Sequence, residues 1–114
     1  MCTCPYERET TMYVLNYWHN VQDYAEWKKI FDRDPLGREA SGVRRYSIER
    51  PLDDEHQVIG ELEFDSLGEA ETFAGRLEEV WRGVAGETVS NAGHRITEVV
   101  EQKQFGGEAG RRAA

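Results

Sequence analysis

The stretch MYVLNYWHNVQDYAEW, residues 12–27, decides the fold because a strand-like pattern changes there into a helix-like one. In residues 11–19, alternate positions fall on opposite faces of an extended chain. One face holds three apolar residues and a histidine: Tyr13, Leu15, Tyr17 and His19. The other holds three apolar residues and an amide: Met12, Val14, Asn16 and Trp18. We therefore predict a strand with large apolar groups on both faces.

A helix is predicted directly after this strand. Asn20 is a suitable N-cap, and Asp23 would lie in the first turn, where a carboxylate favours the helix N-terminus. Apolar residues then recur at spacings of three and four, which gives one apolar face: Val21, Tyr24, Trp27 and Phe31. Pro35 ends the predicted helix near Asp34.

Two further strands and a second helix follow. Residues 43–50 and 57–64 alternate in polarity, and residues 51–55 (PLDDE) between them have turn composition, which predicts a hairpin. Ser66 and Glu69 form a capping box that opens the second helix. We predict a loop over residues 86–93 and a last strand over residues 94–101.

The predicted order is therefore β-α-β-β-α-β, the split βαβ arrangement of ferredoxin-like domains. We expect an α+β domain over residues 11–102, with a four-stranded antiparallel sheet and both helices on one face. Residues 1–10 and 103–114 are polar, glycine-rich or small and lack periodicity, so we interpret them as N-terminal and C-terminal tails.

Charge and composition exclude several classes of protein. The chain of 114 residues carries 22 acidic and 14 basic side chains, a net charge of −8, which disfavours nucleic acid as a partner. No apolar run approaches the roughly 20 residues of a membrane-spanning helix, and residues 1–10 lack the apolar core of a signal peptide. We therefore expect a cytoplasmic protein that does not enter membranes.

The two cysteines, Cys2 and Cys4, are half of a structural zinc set, and no Cys/His pair with ligand spacing follows them. We interpret them as reduced thiols and expect no metal site. No phosphate-binding glycine motif occurs either, so we expect no cofactor.

The sheet face away from the helices is predicted to be polar on three strands and apolar on the first. An apolar stripe on a small domain is seldom left in water. We therefore predict a homodimer formed through this face, with charged residues of the neighbouring strands around an apolar centre. The alternative is a stripe narrow enough to remain exposed.

Two segments, VQDYAEWKKIFD (residues 21–32) and QVIGELEFDSLGEAETF (residues 57–73), resemble the dimeric α+β barrel superfamily. It includes antibiotic-biosynthesis monooxygenase domains and small polyketide cyclases. The resemblance covers about residues 11–102 and implies two sheets closed into one barrel, with a pocket in each subunit between sheet and helices. It is informative about fold rather than activity, because this fold hosts many chemistries.

Comparison with the superfamily singles out three positions. Monooxygenase and haem-degrading relatives often carry tryptophan where this chain has Phe64 and histidine where it has Phe73. Asn16 matches the kind of asparagine that those enzymes place over their substrate. Because the second helix lacks an axial histidine, haem binding is the least favoured of the possible functions.

His19 and Asn16 are the candidate catalytic residues. A histidine at the end of the first strand can transfer protons near neutral pH, and a mid-strand amide can stabilise a developing oxyanion. Alternatively, His19 bonds to loop backbone and Asn16 bonds across an interface or to water. Candidate substrate-binding residues are the large aromatic groups and a second histidine, which could equally be core: Trp18, Trp27, Tyr46, Tyr17, Trp81 and His94.

The sequence thus favours a cofactor-independent enzyme, a monooxygenase or a cyclase, acting on a small aromatic or polyketide-like molecule. The alternative is a non-enzymatic dimeric module that binds a small ligand or is associated with stress. An open space between sheet and helices would favour the first, whereas a space filled by Trp27, Phe73 and Trp81 would weaken it.

Overall fold

The computed structural model describes residues 12–105, apart from the side chains of residues 84–89. Its elements follow the predicted order: β1 (Tyr13–Val21), α1 (Tyr24–Asp32), β2 (Val43–Glu49), β3 (Gln57–Phe64), α2 (Leu67–Thr88) and β4 (Val89–Glu98). Cys2, Cys4 and the predicted N-terminal tail lie outside the described residues, as does all but residues 103–105 of the predicted C-terminal tail.

The four strands form one sheet in the order β2-β3-β1-β4, and every neighbouring pair is antiparallel. β1 is a central strand: Tyr17, for example, lies opposite Gly60 of β3 and His94 of β4. The predicted ferredoxin-like α+β arrangement is therefore confirmed.

Burial alternates along the two central strands, as expected for a sheet covered on one face. In β1 the buried residues are Leu15, Tyr17, His19 and Val21, and in β3 they are Val58, Gly60, Leu62 and Phe64. The core joins this face to α2 through Ala70, Phe73 and Ala74. The alternate β1 residues, with their neighbours on the other strands, form the opposite side of the sheet, here named the open face.

The first helix begins later than predicted. β1 continues through Val21, because Asn20 still pairs with Gln57 of β3 and the Val21 N–H donates to the His56 carbonyl at 2.7 Å. The N-cap is therefore Asp23, whose carboxylate accepts from the Glu26 N–H at 3.2 Å, and not Asn20. The predicted cap at Ser66 is confirmed, since its hydroxyl accepts from the Glu69 N–H at 3.2 Å.

The predicted loop over residues 86–93 was wrong. α2 runs to Thr88 and β4 begins at Val89, so that pairing with the long β1 strand extends through this stretch despite its turn-forming residues. A register shift between Trp18 and Asn20 accommodates it, and Asn91 adopts a left-handed conformation with φ of 53°. Within residues 12–105, no helix has the length and apolar character needed to cross a membrane.

Candidate functional site

A partly enclosed cavity of about 110 Å³ lies between the sheet and the two helices. Most of the side chains that line it are apolar or aromatic: Tyr17, His19, Trp27, Ile30, Phe31, Pro35, Leu36, Arg38, Leu62, Phe73, Leu77, Val80 and Trp81. An apolar protein cavity of about 150 Å³ can hold benzene. The cavity has about three quarters of that volume and is partly open, so it could take one aromatic ring at most, and Trp27, Phe73 and Trp81 do not fill the space.

His19 projects from β1 into this cavity and is only 1% exposed. Three aromatic rings surround the imidazole: Tyr17 stacks on it with centroids 5.7 Å apart, and Trp27 and Trp81 lie at 5.5 and 5.8 Å. Among the described residues, no group hydrogen-bonds to its buried Nδ1 atom. Buried polar atoms are usually paired, so an unpaired nitrogen beside a cavity suits contact with a ligand.

Burial lowers the pKa of His19 from 6.5 to about 4, because the apolar surroundings disfavour the charged imidazolium. The ring is therefore neutral near pH 7, with one nitrogen able to donate a hydrogen bond and the other able to accept one. With this lowered pKa the imidazole is a weak base.

Tyr17 forms the wall next to His19. Its ring also meets the edge of Trp81 at 6.2 Å and lies over Gly60 of the adjacent strand. Burial raises the pKa of the Tyr17 phenol well above its usual value, an effect that the positive charge of Arg38 partly offsets. The phenol therefore remains protonated near pH 7 and can donate a hydrogen bond.

Among the described residues that line the cavity, Arg38 is the one that carries a full charge near pH 7. Its guanidinium lies 3.9 Å from the centroid of the Phe31 ring and 4.9 Å from that of Tyr46. Arg38 was not predicted as a site residue, because a single arginine in a loop matches no motif. The turn that precedes it is seen in the structure, where Asp34 and Gly37 have φ values of 56° and 61°.

Four of the eight predicted site residues line the cavity: Tyr17, His19, Trp27 and Trp81. Tyr46 is nearly half exposed and contacts the cavity only through Phe31, at 5.3 Å between ring centroids, and through Arg38.

Asn16 and Trp18 lie on the open face, away from the cavity. The Asn16 side-chain amide donates to the Thr97 hydroxyl at 3.2 Å and to the Val14 carbonyl at 3.3 Å. The Trp18 ring lies over Gly93, with the Arg95 guanidinium 6.0 Å from it. Within one chain the sheet therefore separates Asn16 from His19, and this placement does not support their acting together on one substrate.

His94 lies in a separate surface cleft on the other side of Trp81. Its Nε2 atom is 2.5 Å from a carboxylate oxygen of Glu78, and its ring is 6.1 Å from that of Trp81. Trp81 therefore forms a wall of both the cleft and the main cavity. The prediction that His94 binds substrate would require a ligand that extends past this indole.

No protein-family model matches the chain, and no curated protein matches it. Solved structures do. A dimeric ferredoxin-like protein from an uncultured marine organism aligns with a TM-score of 0.58 at 15% identity, over 90% of this chain and 99% of its own. A proposed antibiotic biosynthesis monooxygenase from Deinococcus radiodurans aligns with a TM-score of 0.62 at 11% identity, over 82% and 97%. SnoaB, a cofactor-independent oxygenase from Streptomyces nogalater, aligns with a TM-score of 0.56 at 13% identity, over 83% and 96%.

These similarities span nearly the full length of each compared chain, but sequence identity is low. They show that the chain has a ferredoxin-like fold, as predicted from the sequence. Activity does not follow from fold at this level of identity.

Proposed function

We propose that this protein binds a small aromatic compound between sheet and helices and acts on it as a cofactor-independent oxygenase. The observation that carries the proposal is the aromatic cavity around His19, whose Nδ1 atom has no partner among the described residues. The presence of a cofactor-independent oxygenase, SnoaB, among proteins of this fold supports the choice of reaction. A cyclase reaction is the alternative chemistry for the same cavity.

The cavity wall would act mainly by confinement. Tyr17, Trp27 and Trp81 would hold a flat ring, and neutral His19 would accept a hydrogen bond from a ring hydroxyl. In an oxygenation of this kind a hydroxylated ring is oxidised to a quinone: the ring gives up four electrons and two hydrogens, one oxygen atom of O2 becomes a ring carbonyl and the other leaves as water. A polyketide-like substrate with several rings would have to extend beyond the cavity, since its volume suits one ring.

Oxygen uptake tests this proposal. Wild-type protein is mixed with mono- and bicyclic hydroxylated aromatic compounds, and dissolved oxygen is followed with and without a metal chelator. We expect saturable uptake above the rate without protein, insensitive to the chelator and lost in His19→Phe, which keeps an aromatic ring at this position. Saturable binding without uptake for every compound would contradict an oxygenase.

One observation favours a non-enzymatic binding module as the second candidate. No carboxylate among the described residues pairs with His19, and its pKa of about 4 makes it a poor base. The neutral imidazole of His19 is nevertheless sufficient to orient a ligand by hydrogen bonding. Binding without turnover in the experiment above would be the expected result for this function.

We further propose that the chain forms a homodimer through the open face. Val14 and Trp18 of β1 are only partly buried there, and Ile59 lies beside Trp18 on β3. The Arg45 guanidinium pairs with Glu63 at the side of this apolar group. A stripe of this kind, bordered by charges, suits contact with a second copy, and proteins described as dimeric share the fold.

A further inference from the structure

The Arg38 guanidinium is placed in the wall of an otherwise apolar cavity by its own loop. The left-handed turn at Asp34 lets its carboxylate accept from the backbone N–H of Arg38 at 2.9 Å. The Nη1 atom donates to the Phe31 carbonyl at 3.0 Å and lies 3.5 Å from the Asp34 carboxylate. Only 15% of the side chain is exposed, so the charge is largely removed from water.

These contacts leave one edge of the guanidinium available. Among the side chains that the structure describes, every hydrogen-bond and ion-pair partner of the Arg38 side chain contacts Nη1, and none contacts Nε or Nη2. The Nε–Nη2 edge carries two parallel N–H groups that match the two oxygens of a carboxylate.

Arg45 shows in the same chain how this edge is used. Its Nε and Nη2 atoms donate to the two carboxylate oxygens of Glu63 at 3.2 and 3.0 Å. Arg38 lines the aromatic cavity and has this edge unused among the described contacts, and the low exposure of its side chain to water would strengthen a charge-assisted hydrogen bond there.

We infer that Arg38 makes the cavity selective for an aromatic ring that carries one carboxylate, with the ring against Tyr17, Trp27 and Trp81 and the carboxylate on the Nε–Nη2 edge. This inference rests on the proposed function in one respect: the cavity must be the ligand site. It does not depend on the reaction. Asp34 would keep its contact with Nη1, so that it orients the guanidinium without occupying the edge.

A matched pair of probes tests the inference. Benzoate and benzamide have the same ring and nearly the same shape, but only benzoate is charged at pH 7. Binding is followed by nuclear magnetic resonance through the indole N–H signals of Trp27 and Trp81, both of which line the cavity. We expect benzoate to bind about tenfold more tightly than benzamide or better, as charge-assisted hydrogen bonds imply.

Three variants complete the experiment. Arg38→Gln should abolish the preference for benzoate, so that the two probes bind with equal affinity, and Arg38→Lys should retain part of the preference through charge alone. Arg50→Gln is the matched control, because that guanidinium also lies on an aromatic ring, Tyr24 at 4.5 Å, but does not line the cavity. It should keep the full preference. Thermal melting checks that each variant is folded.

Equal affinity for the two probes in the wild type would overturn the inference and leave the proposed function intact. A preference that persists in Arg38→Gln would also overturn it. If neither probe shifts the Trp27 and Trp81 signals at millimolar concentration, both the inference and the proposed ligand site fail. Should Arg38→Gln not fold, the wild-type ratio and the Arg38→Lys variant still decide the question.

Discussion

The Tyr17 ring lies so close over Gly60, its partner on β3, that a Cβ atom on Gly60 would overlap the Cζ atom of the ring. Because Tyr17 is 4% exposed, the ring cannot move aside without disturbing the core. The lack of a side chain at Gly60 thus provides the room that a ring lining the cavity occupies.

Gly60→Ala is therefore expected to destabilise the protein by about 1–3 kcal/mol, the usual cost of overpacking a core, and to weaken ring binding in the cavity. Gly75→Ala in α2 is the control, since no atom lies within 4 Å of the added Cβ there. It should stabilise the protein by up to about 1 kcal/mol through helix propensity. Urea unfolding measures both, and equal stabilities for the two variants would contradict the close contact.

His19 should make stability depend on pH. Its folded-state pKa of about 4 lies below the unfolded value of 6.5, so the unfolded chain binds the proton first as pH falls. This contribution to stability is complete above pH 6.5 and is lost towards pH 4, by at most about 3 kcal/mol.

The measurement is the difference in free energy of unfolding between wild type and His19→Phe from pH 7.5 to pH 4.5. Other titrating groups cancel in this difference to a first approximation. We expect the variant to gain relative to the wild type on acidification, and a difference that stays constant with pH would show that His19 is not buried as a neutral ring.

Asn16 and His19 should respond differently to substitution, because they lie on opposite faces of the sheet. Asn16→Ala should leave ring binding within about twofold of the wild type, since no Asn16 atom lines the cavity. His19→Phe should weaken binding of hydroxylated rings by about tenfold, the value of one or two hydrogen bonds. Calorimetric titration of both variants checks this, and strong loss in Asn16→Ala would restore the joint site predicted from the sequence.

The open face should control assembly. Wild-type protein is expected to sediment as two copies of the 13.1 kDa chain, about 26 kDa. Trp18→Glu would place a charge at the apolar centre of the proposed interface and should shift the protein to about 13 kDa. Leu52→Glu, in the exposed turn between β2 and β3, is the control and should remain dimeric. A wild-type protein of about 13 kDa at micromolar concentration would rule out a stable dimer.

The fold was predictable because each element carries its own local pattern. Alternation in residues 57–64 and the Ser66 cap indicated β3 and the start of α2, and both are observed there. The boundaries that were wrong depend on pairing between distant segments. Asn20 is a good cap in isolation, but it is held in β1 by Gln57 and Ser90.

The site was only partly predictable. Alternation assigned Tyr17 and His19 to one face of β1 and Asn16 to the other, but it did not show which face the helices cover. Arg38 could not be found from the sequence, because its position depends on a turn that brings a loop residue 3.9 Å from the ring of Phe31. Contacts between loops and helices of this kind leave no periodic signal.

The alternation of β1 has a practical consequence for redesign. Two of its odd-numbered positions, Tyr17 and His19, line the ligand space, whereas even-numbered positions, such as Asn16 and Trp18, point towards a proposed second subunit. Mutant libraries restricted to the odd-numbered positions would vary the ligand while leaving the proposed dimer interface unchanged. Libraries restricted to the even-numbered positions would vary the interface while leaving the ligand space unchanged.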